Sequence, residues 1–336
     1  MESAQFIGGG SAAGEDMHEK TNDKVVVVLG AGSFIGSHLL AALALRQDLQ
    51  VRALVRQHVG PTESEAAGIQ MYKGDLLQPE ALSRILAKGC TVINLAYLRQ
   101  ADLAANLEAI TNLAEACAGT QIKRLIHCST ATVAGKTKVN PVDESSPCEP
   151  CTNYDATKCA IERLLLDRYK TQFELAIVRP SAVFGPNGKN LLKLAHHISK
   201  GNRLANYVKS CLSHSRSMNL VCVDNVVAAI LFLSDTANKL SDSIYIVSDD
   251  DDARNNYRSV EKHLMQRLGT ADYKLPVVPL PHSFLKMILK LSGRSCSDIM
   301  RVYLGRNLTA AGFVKPVGLK DGLDRFAAWY RERLDP

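Results

Sequence analysis

The sequence predicts an α/β fold, a doubly wound parallel sheet of Rossmann-like type with a smaller C-terminal lobe. Three observations carry that expectation. Short β-branched runs alternate with amphipathic stretches of helical length across the first half of the chain. The first such run, VVVVL at 25–29, ends in the glycine cluster GAGSFIG at 30–36, which opens directly into a helical stretch. Beyond Pro180 the alternation breaks, as it would where a second lobe begins.

The elements follow in order. The run between Lys24 and Arg46 carries no charge and would barely cross a bilayer, which needs about 20 apolar residues. Ser33, Ser37, His38 and the glycines interrupt it, so it reads as a strand (25–29), a turn and a helix (35–45). A second strand is expected at 49–55. A polar, helix-breaking stretch follows, then a short third strand at 69–72, closed by Gly74 and Asp75. Residues 79–87 look helical behind Pro79, 92–95 form strand four, and 101–118 a long amphipathic helix. Strand five is expected at 124–128, a helix at 154–169 and strand six at 175–178. The Gly/Pro/Asn loop FGPNGKN then leads into a helix at 191–200, and strand-like segments return at 220–223 and 244–247. The last third, with prolines at 276, 279 and 281, reads as irregular before a closing helix at 319–334. The expected organisation is a disordered leader (1–23), a dinucleotide-binding domain (24–180, with 219–249 returning to it), and a substrate-binding lobe with the C-terminal helix (181–218 and 250–336).

Composition narrows the function. Of 336 residues 46% are apolar and 22% charged, with a net charge of +6 that forms no basic block. Nucleic-acid binding is therefore not indicated, whereas a basic cleft for an anionic ligand is allowed. Nine scattered cysteines, an odd number, read as reduced thiols of a cytoplasmic protein. The closest pair, Cys148 and Cys151, has no second pair to complete a zinc site and reads as two loop thiols, so no metal is expected. The first residues lack the basic start and apolar core of a secretory signal, and no membrane association is expected.

Three motifs carry chemistry. Gly30, Gly32 and Gly36 free the backbone to approach a pyrophosphate, and the helix that follows offers unpaired N–H groups and a positive dipole end. Their G-x-G-x-x-x-G spacing matches neither usual dinucleotide fingerprint cleanly and is weak evidence alone. At the end of strand two stand Arg52 and Arg56 with no acid in reach. A carboxylate there would hold the ribose 2′-hydroxyl of NAD, whereas a guanidinium grips a 2′-phosphate, so NADP is expected, with NAD open. The plain alternative is two solvated arginines on a strand edge. Third, Ser129 and Thr130 end strand five, and Tyr154 and Lys158 follow one helical turn apart. A phenol with pKa about 10 is a poor acid or base at neutral pH, but a neighbouring ammonium stabilises its phenolate.

On these motifs the chain resembles the extended short-chain dehydrogenase/reductases, the NAD(P)-dependent group of nucleotide-sugar epimerases, dehydratases and 4-ketoreductases. The resemblance covers nearly the whole chain, from residue 24 to LKDGLDRFAAWYR at 319–331. It rests on GAGSFIGSHL, KGDL, NLA, CSTATVAG, YDATK, RPSAVFGP and VCVDNVV. It implies that Tyr154 is the catalytic acid/base, that Lys158 is its partner and binds the nicotinamide ribose, and that Thr130 hydrogen-bonds the reacting oxygen beside Ser129. It further implies a cofactor cradled by Gly30, Gly32, Ser33, Phe34, Ile35 and Gly36. Asp75 and Leu76 would meet the adenine, and Ala96, Pro180 and Val183 would line the path to the nicotinamide. Asn190 matches the asparagine that contacts the substrate diphosphate. The chain also departs from the pattern. Ser33 takes the middle glycine's place, Ala134 replaces a usual tyrosine, and Met218 and Asn219 stand where an Arg-Asp pair is common, with Arg216 nearby as a substitute.

The function so implied is an NAD(P)-dependent oxidoreductase acting on a nucleoside diphosphate sugar, by 4-keto reduction or 4-epimerisation, working as a homodimer. Two other readings stay open. One is an NADPH-dependent reductase of a sterol- or flavonoid-like ketone, its pocket lined by the apolar segment FLKMILKL that begins at Phe284. The other is an NADP-binding regulator without chemistry.

Overall fold

In a computed structural model of the chain, described for residues 24–56, 68–237, 239–240, 244–281, 283 and 299–333, nine strands and the helices between them form two layers of packing around one large sheet. The expectations placed on the leader 1–23 and on the segment beginning at Phe284 lie outside the described residues. Strands β1 (Lys24–Leu29), β2 (Leu49–Val55), β3 (Gln70–Lys73), β4 (Thr91–Asn94), β5 (Arg124–Cys128), β6 (Glu174–Pro180) and β9 (Ile244–Val247) make the sheet in the order β3-β2-β1-β4-β5-β6-β9. Every pairing in it is parallel.

The central strands read as unbroken apolar runs because both faces are covered. Val26 and Val28 pack on one layer, with Leu39 and Leu43 of α1 (Phe34–Leu43) and Val226 and Ile230 of α7 (Val223–Asp235). Val27 and Leu29 pack on the other, with Ile85 of α2 (Pro79–Ile85), Leu113 of α3 (Leu103–Thr120) and Leu165 of α4 (Asn153–Arg168). All strand carboxyl ends therefore face one way, and the loops after β1, β4, β5 and β6 converge there, where a doubly wound sheet holds its ligand.

The second lobe is built from separate stretches of chain. β7 (Ala182–Phe184) pairs in parallel with β8 (Leu220–Cys222), and neither joins the large sheet. Around this pair lie α5 (Leu192–Lys200), α6 (Arg203–Ser213), α8 (Tyr257–Arg267) and α10 (Leu319–Glu332), over a core of Phe184, Leu194, Ile198, Leu264 and Phe326. The short α9 (Arg306–Ala310) packs on β9. Helices α6, α7, α8 and the short α9 are absent from the sequence reading. α6 disguises itself: it buries Ser210, Cys211 and Ser213 while Leu204 is 71% exposed. α8 falls in the stretch read as irregular, yet Asn256 caps it, its side chain accepting from the Ser259 N–H, and Val260 and Leu264 point inward one turn apart.

Candidate active site

The site starts at the end of β1. Gly30 has φ +78°, and a Cβ on it would lie 2.6 Å from the Ala96 backbone nitrogen. Only glycine lets the segment after β4 pass so close. A Cβ on Gly36 would come within 2.5 Å of the Gly30 and Ala31 carbonyl oxygens, so this glycine seats α1 against the turn. Gly32 differs, since nothing stands within 4 Å of its missing Cβ. Ser33 needs no glycine geometry: its backbone is extended (φ −78°) and its hydroxyl caps α1 by accepting from the Gly36 N–H at 3.1 Å. No acid sits in the first turn of α1, at Phe34 and Ile35. An unobstructed glycine backbone at an acid-free helix start fits the pyrophosphate of a dinucleotide.

The walls come from the next strand ends. Arg56 follows β2 and is exposed. Arg52 does not stand with it, contrary to the expectation from sequence. Its guanidinium donates to the Ile85 carbonyl at 3.0 Å and to Gln50 Oε1 at 3.3 Å. Its charge is felt by Cys90, just ahead of β4, which places it towards the amino ends of the strands. A side chain in mid-strand, tied to the end of α2, is turned away from the cofactor edge. After β3, Asp75 is partly exposed, with Oδ1 accepting from the Leu77 N–H at 3.0 Å, and Leu76 is buried. After β4, Asn94 Oδ1 accepts from the Ala96 N–H at 3.0 Å. That fixes the amide so that its Nδ2 donates to His127 Nδ1 at 3.1 Å, and the pair holds the Ala96 wall in place.

The expected catalytic residues lie at the end of β5 and the start of α4. Ser129 is buried, and its hydroxyl has no hydrogen-bond partner within the protein. Thr130 Oγ1 lies 2.9 Å from Thr132 Oγ1, which donates to Asp155 Oδ1 at 2.5 Å. Asp155 also closes a capping box with Thr152 at the start of α4. Tyr154 precedes it, 42% exposed, with its ring edge-on to Tyr97 at 5.1 Å. One turn on, Lys158 is buried; its Nζ donates to the Cys128 carbonyl at 2.8 Å and lies 5.0 Å from the Tyr97 ring centre.

The expectation that Lys158 draws the phenol down is not met by this arrangement. Burial, then Cys128 and Tyr97, push Tyr154 up to about 12, with Arg99 opposing. Burial likewise lowers Lys158, with Cys128 and Glu162 opposing. The ammonium serves a carbonyl and a ring, and burial favours the neutral phenol of Tyr154.

On the lobe side, Pro180 ends β6 and Val183 lies in β7. Exposed Asn190 donates through Nδ2 to the Val183 carbonyl at 2.7 Å, which leaves its second amide hydrogen and its carbonyl for a ligand. Arg216 stands exposed between α6 and β8, where its charge reaches Lys209 and Tyr257. Asn94, Tyr97, Thr132 and Asp155 were given no role by sequence. For Asp155 a signal existed, the T-x-x-D spacing from Thr152. The others are brought to the site by tertiary contact. Among the described residues no group of three or more His, Cys, Asp or Glu is arranged to hold a metal ion, and no helix is long and apolar enough to cross a membrane.

A parallel sheet with a glycine turn at its first strand, and a hydroxyl, a phenol and an ammonium at the ends of β5 and α4, marks an extended short-chain dehydrogenase/reductase, an NAD-dependent enzyme class. Residues 26–248 match the NAD dependent epimerase/dehydratase family, and the chain belongs to that family. Over 328 residues it is 26% identical to the N-acetyl-alpha-D-glucosaminyl-diphospho-ditrans,octacis-undecaprenol 4-epimerase of Escherichia coli O157:H7, covering 90% of this chain and 94% of the relative. It is also 26% identical to the UDP-glucose 4-epimerase of Vibrio cholerae, with the same 90% and 94% coverage. The fold matches the crystal structure of a Thermus thermophilus UDP-glucose 4-epimerase complexed with NAD, at a TM-score of 0.64 and 22% identity, over 91% of this chain and 99% of that one.

Proposed function

We propose that the chain acts at C4 of a sugar carried on a nucleoside diphosphate, by epimerisation or by reduction of a 4-keto group. The observation that carries this reading is the grouping of Thr130, Tyr154 and Lys158 at the strand ends beside the Gly30–Gly36 turn. The two sequence relatives, both 4-epimerases of diphosphate-linked sugars by name, support it. A bound nicotinamide dinucleotide supplies hydride exchange. Tyr154 holds the proton that moves to or from the C4 oxygen, and Thr130 orients that oxygen. Lys158 reaches the nicotinamide ribose with the donors that Cys128 leaves free. Asn190 donates to the sugar's diphosphate, with Arg216 as a second contact. With Arg52 turned away, cofactor choice rests on Arg56, and a preference for NADP over NAD follows from that one guanidinium and the absence of an acid on β2.

Thermal unfolding with millimolar UDP, dTDP, GDP or CDP tests the reading, since a ligand that binds only the folded state raises Tm. Asn190→Ala should weaken the shift. No shift with any of the four would move the assignment to an apolar ketone. Tyr154→Phe should lower turnover by about 10²–10⁴-fold while cofactor still binds. Nucleotide released on denaturing the purified protein separates the two reactions: retained NAD(P) marks an epimerase, an empty site a reductase.

A further inference from the structure

The hydrogen-bond chain behind Thr130 runs in one direction. Asp155 Oδ2 accepts from the Thr152 backbone N–H at 3.2 Å and from the Thr152 hydroxyl at 2.7 Å, and Oδ1 accepts from the Thr132 hydroxyl at 2.5 Å. A carboxylate only accepts, so the single proton of Thr132 is committed to Asp155. The Thr130 and Thr132 oxygens are 2.9 Å apart, and one of them must donate. With the Thr132 proton committed, the donor is Thr130. One Thr130 lone pair also receives the Thr132 N–H at 3.3 Å. What Thr130 has left for a ligand is its other lone pair.

A lone pair meets donors only. A hydroxyl can donate to it and a keto oxygen cannot. Tyr154, next to Asp155 on α4, presents the opposite character, a phenol that burial keeps protonated. An alcohol oxygen accepts from Tyr154 and donates to Thr130, whereas a ketone satisfies Tyr154 and sets lone pair against lone pair at Thr130.

We propose that Thr132 and Asp155 are positioning residues that fix Thr130 as a hydrogen-bond acceptor, so that the site selects a sugar with a free C4 hydroxyl over its 4-keto counterpart. The inference rests on the reading of Thr130 as the residue facing C4, and it deepens that reading. An epimerase meets the alcohol as both substrate and product, whereas a ketoreductase meets it as product alone.

The test compares dissociation constants, by calorimetric titration, for a matched pair: UDP-6-deoxyglucose and UDP-4-keto-6-deoxyglucose, or the dTDP pair if dTDP gives the larger thermal shift. The wild-type protein should prefer the alcohol by about tenfold, the equivalent of one net hydrogen bond. Thr132→Val keeps the shape and removes the hydroxyl, which frees the Thr130 proton to donate. The preference should then collapse or invert while affinity for UDP alone stays unchanged, and Thr132→Ser should restore it. Equal wild-type affinities, or an unchanged ratio in Thr132→Val that still binds UDP, would overturn the inference and leave the function standing. If none of the four nucleoside diphosphates binds, the nucleotide-sugar reading falls and the inference falls with it.

Discussion

Two glycines two residues apart in the first turn should respond to alanine in opposite ways. At Gly30 the backbone is left-handed (φ +78°), and an alanine methyl would stand 2.6 Å from the Ala96 nitrogen and 2.8 Å from the Leu95 carbonyl carbon. Both are backbone atoms, and the Asn94 side chain holds Ala96 in place. The left-handed conformation alone costs an L-residue about 1–2 kcal/mol, and overpacking adds about 1–3 kcal/mol. At roughly 2 °C per kcal/mol for a chain of this size, Gly30→Ala should lower Tm by about 4–10 °C. At Gly32 nothing lies within 4 Å, so an alanine there has no protein atom to displace. Gly32→Ala should melt within about 1 °C of the wild-type protein, yet bind NAD and NADP at least tenfold more weakly because its methyl enters the space of the pyrophosphate. Scanning calorimetry without ligand and a fluorescence titration with each reduced cofactor read both quantities. A Gly32→Ala protein that binds cofactor like the wild type would refute the placement of the phosphates. A Gly30→Ala protein as stable as the wild type would refute the packing argument.

Further outcomes follow from the site. Arg56→Ala should erode any preference for NADPH over NADH by about tenfold, the worth of a charge-assisted contact, while Arg52→Ala should leave it unchanged; equal erosion by both would restore Arg52 to the cofactor. Because the phenol is raised to about 12, Tyr154 should remain protonated through pH 10, and its stabilising neutral form should be lost only as pH climbs towards 12. The difference in phenolate absorbance between the wild-type and Tyr154→Phe proteins, followed against pH, shows this directly, and ionisation of Tyr154 near pH 8 would contradict it. Arg179→Met should destabilise strongly, by about 3–5 kcal/mol in urea unfolding, because it strands the buried Glu162 carboxylate that the guanidinium meets at 2.6 Å.

The parallel sheet was legible because its central strands are short runs buried on both faces, a pattern plainest in the apolar run at 25–29. Tyr154 and Lys158 were legible for a similar reason, since one helical turn brings them together whatever the rest of the fold does. Arg52 was misplaced because strand sequence sets the alternation of side chains, not where a long guanidinium finds its acceptor, and Ile85 lies 33 residues on. The acidity of Tyr154 was misjudged because spacing shows Lys158 nearby but not that the Cys128 carbonyl and the Tyr97 ring already engage its ammonium. Helix α6 was missed because periodicity reports burial, and α6 buries its small polar residues while it exposes Leu204 and Val208.

The passage from β6 to β7 spans a single residue, Ser181. Its N–H donates to the Val247 carbonyl in the large sheet, while the next N–H, of Ala182, donates to the Asn219 carbonyl in the lobe. Consecutive amides are thus fastened to different bodies, and any turn of the β7–β8 pair against the large sheet at this crossing falls on the backbone dihedrals of Ser181. Neither bond joins one body to the other, so such a turn keeps both, and the crossing is built as a joint one residue long.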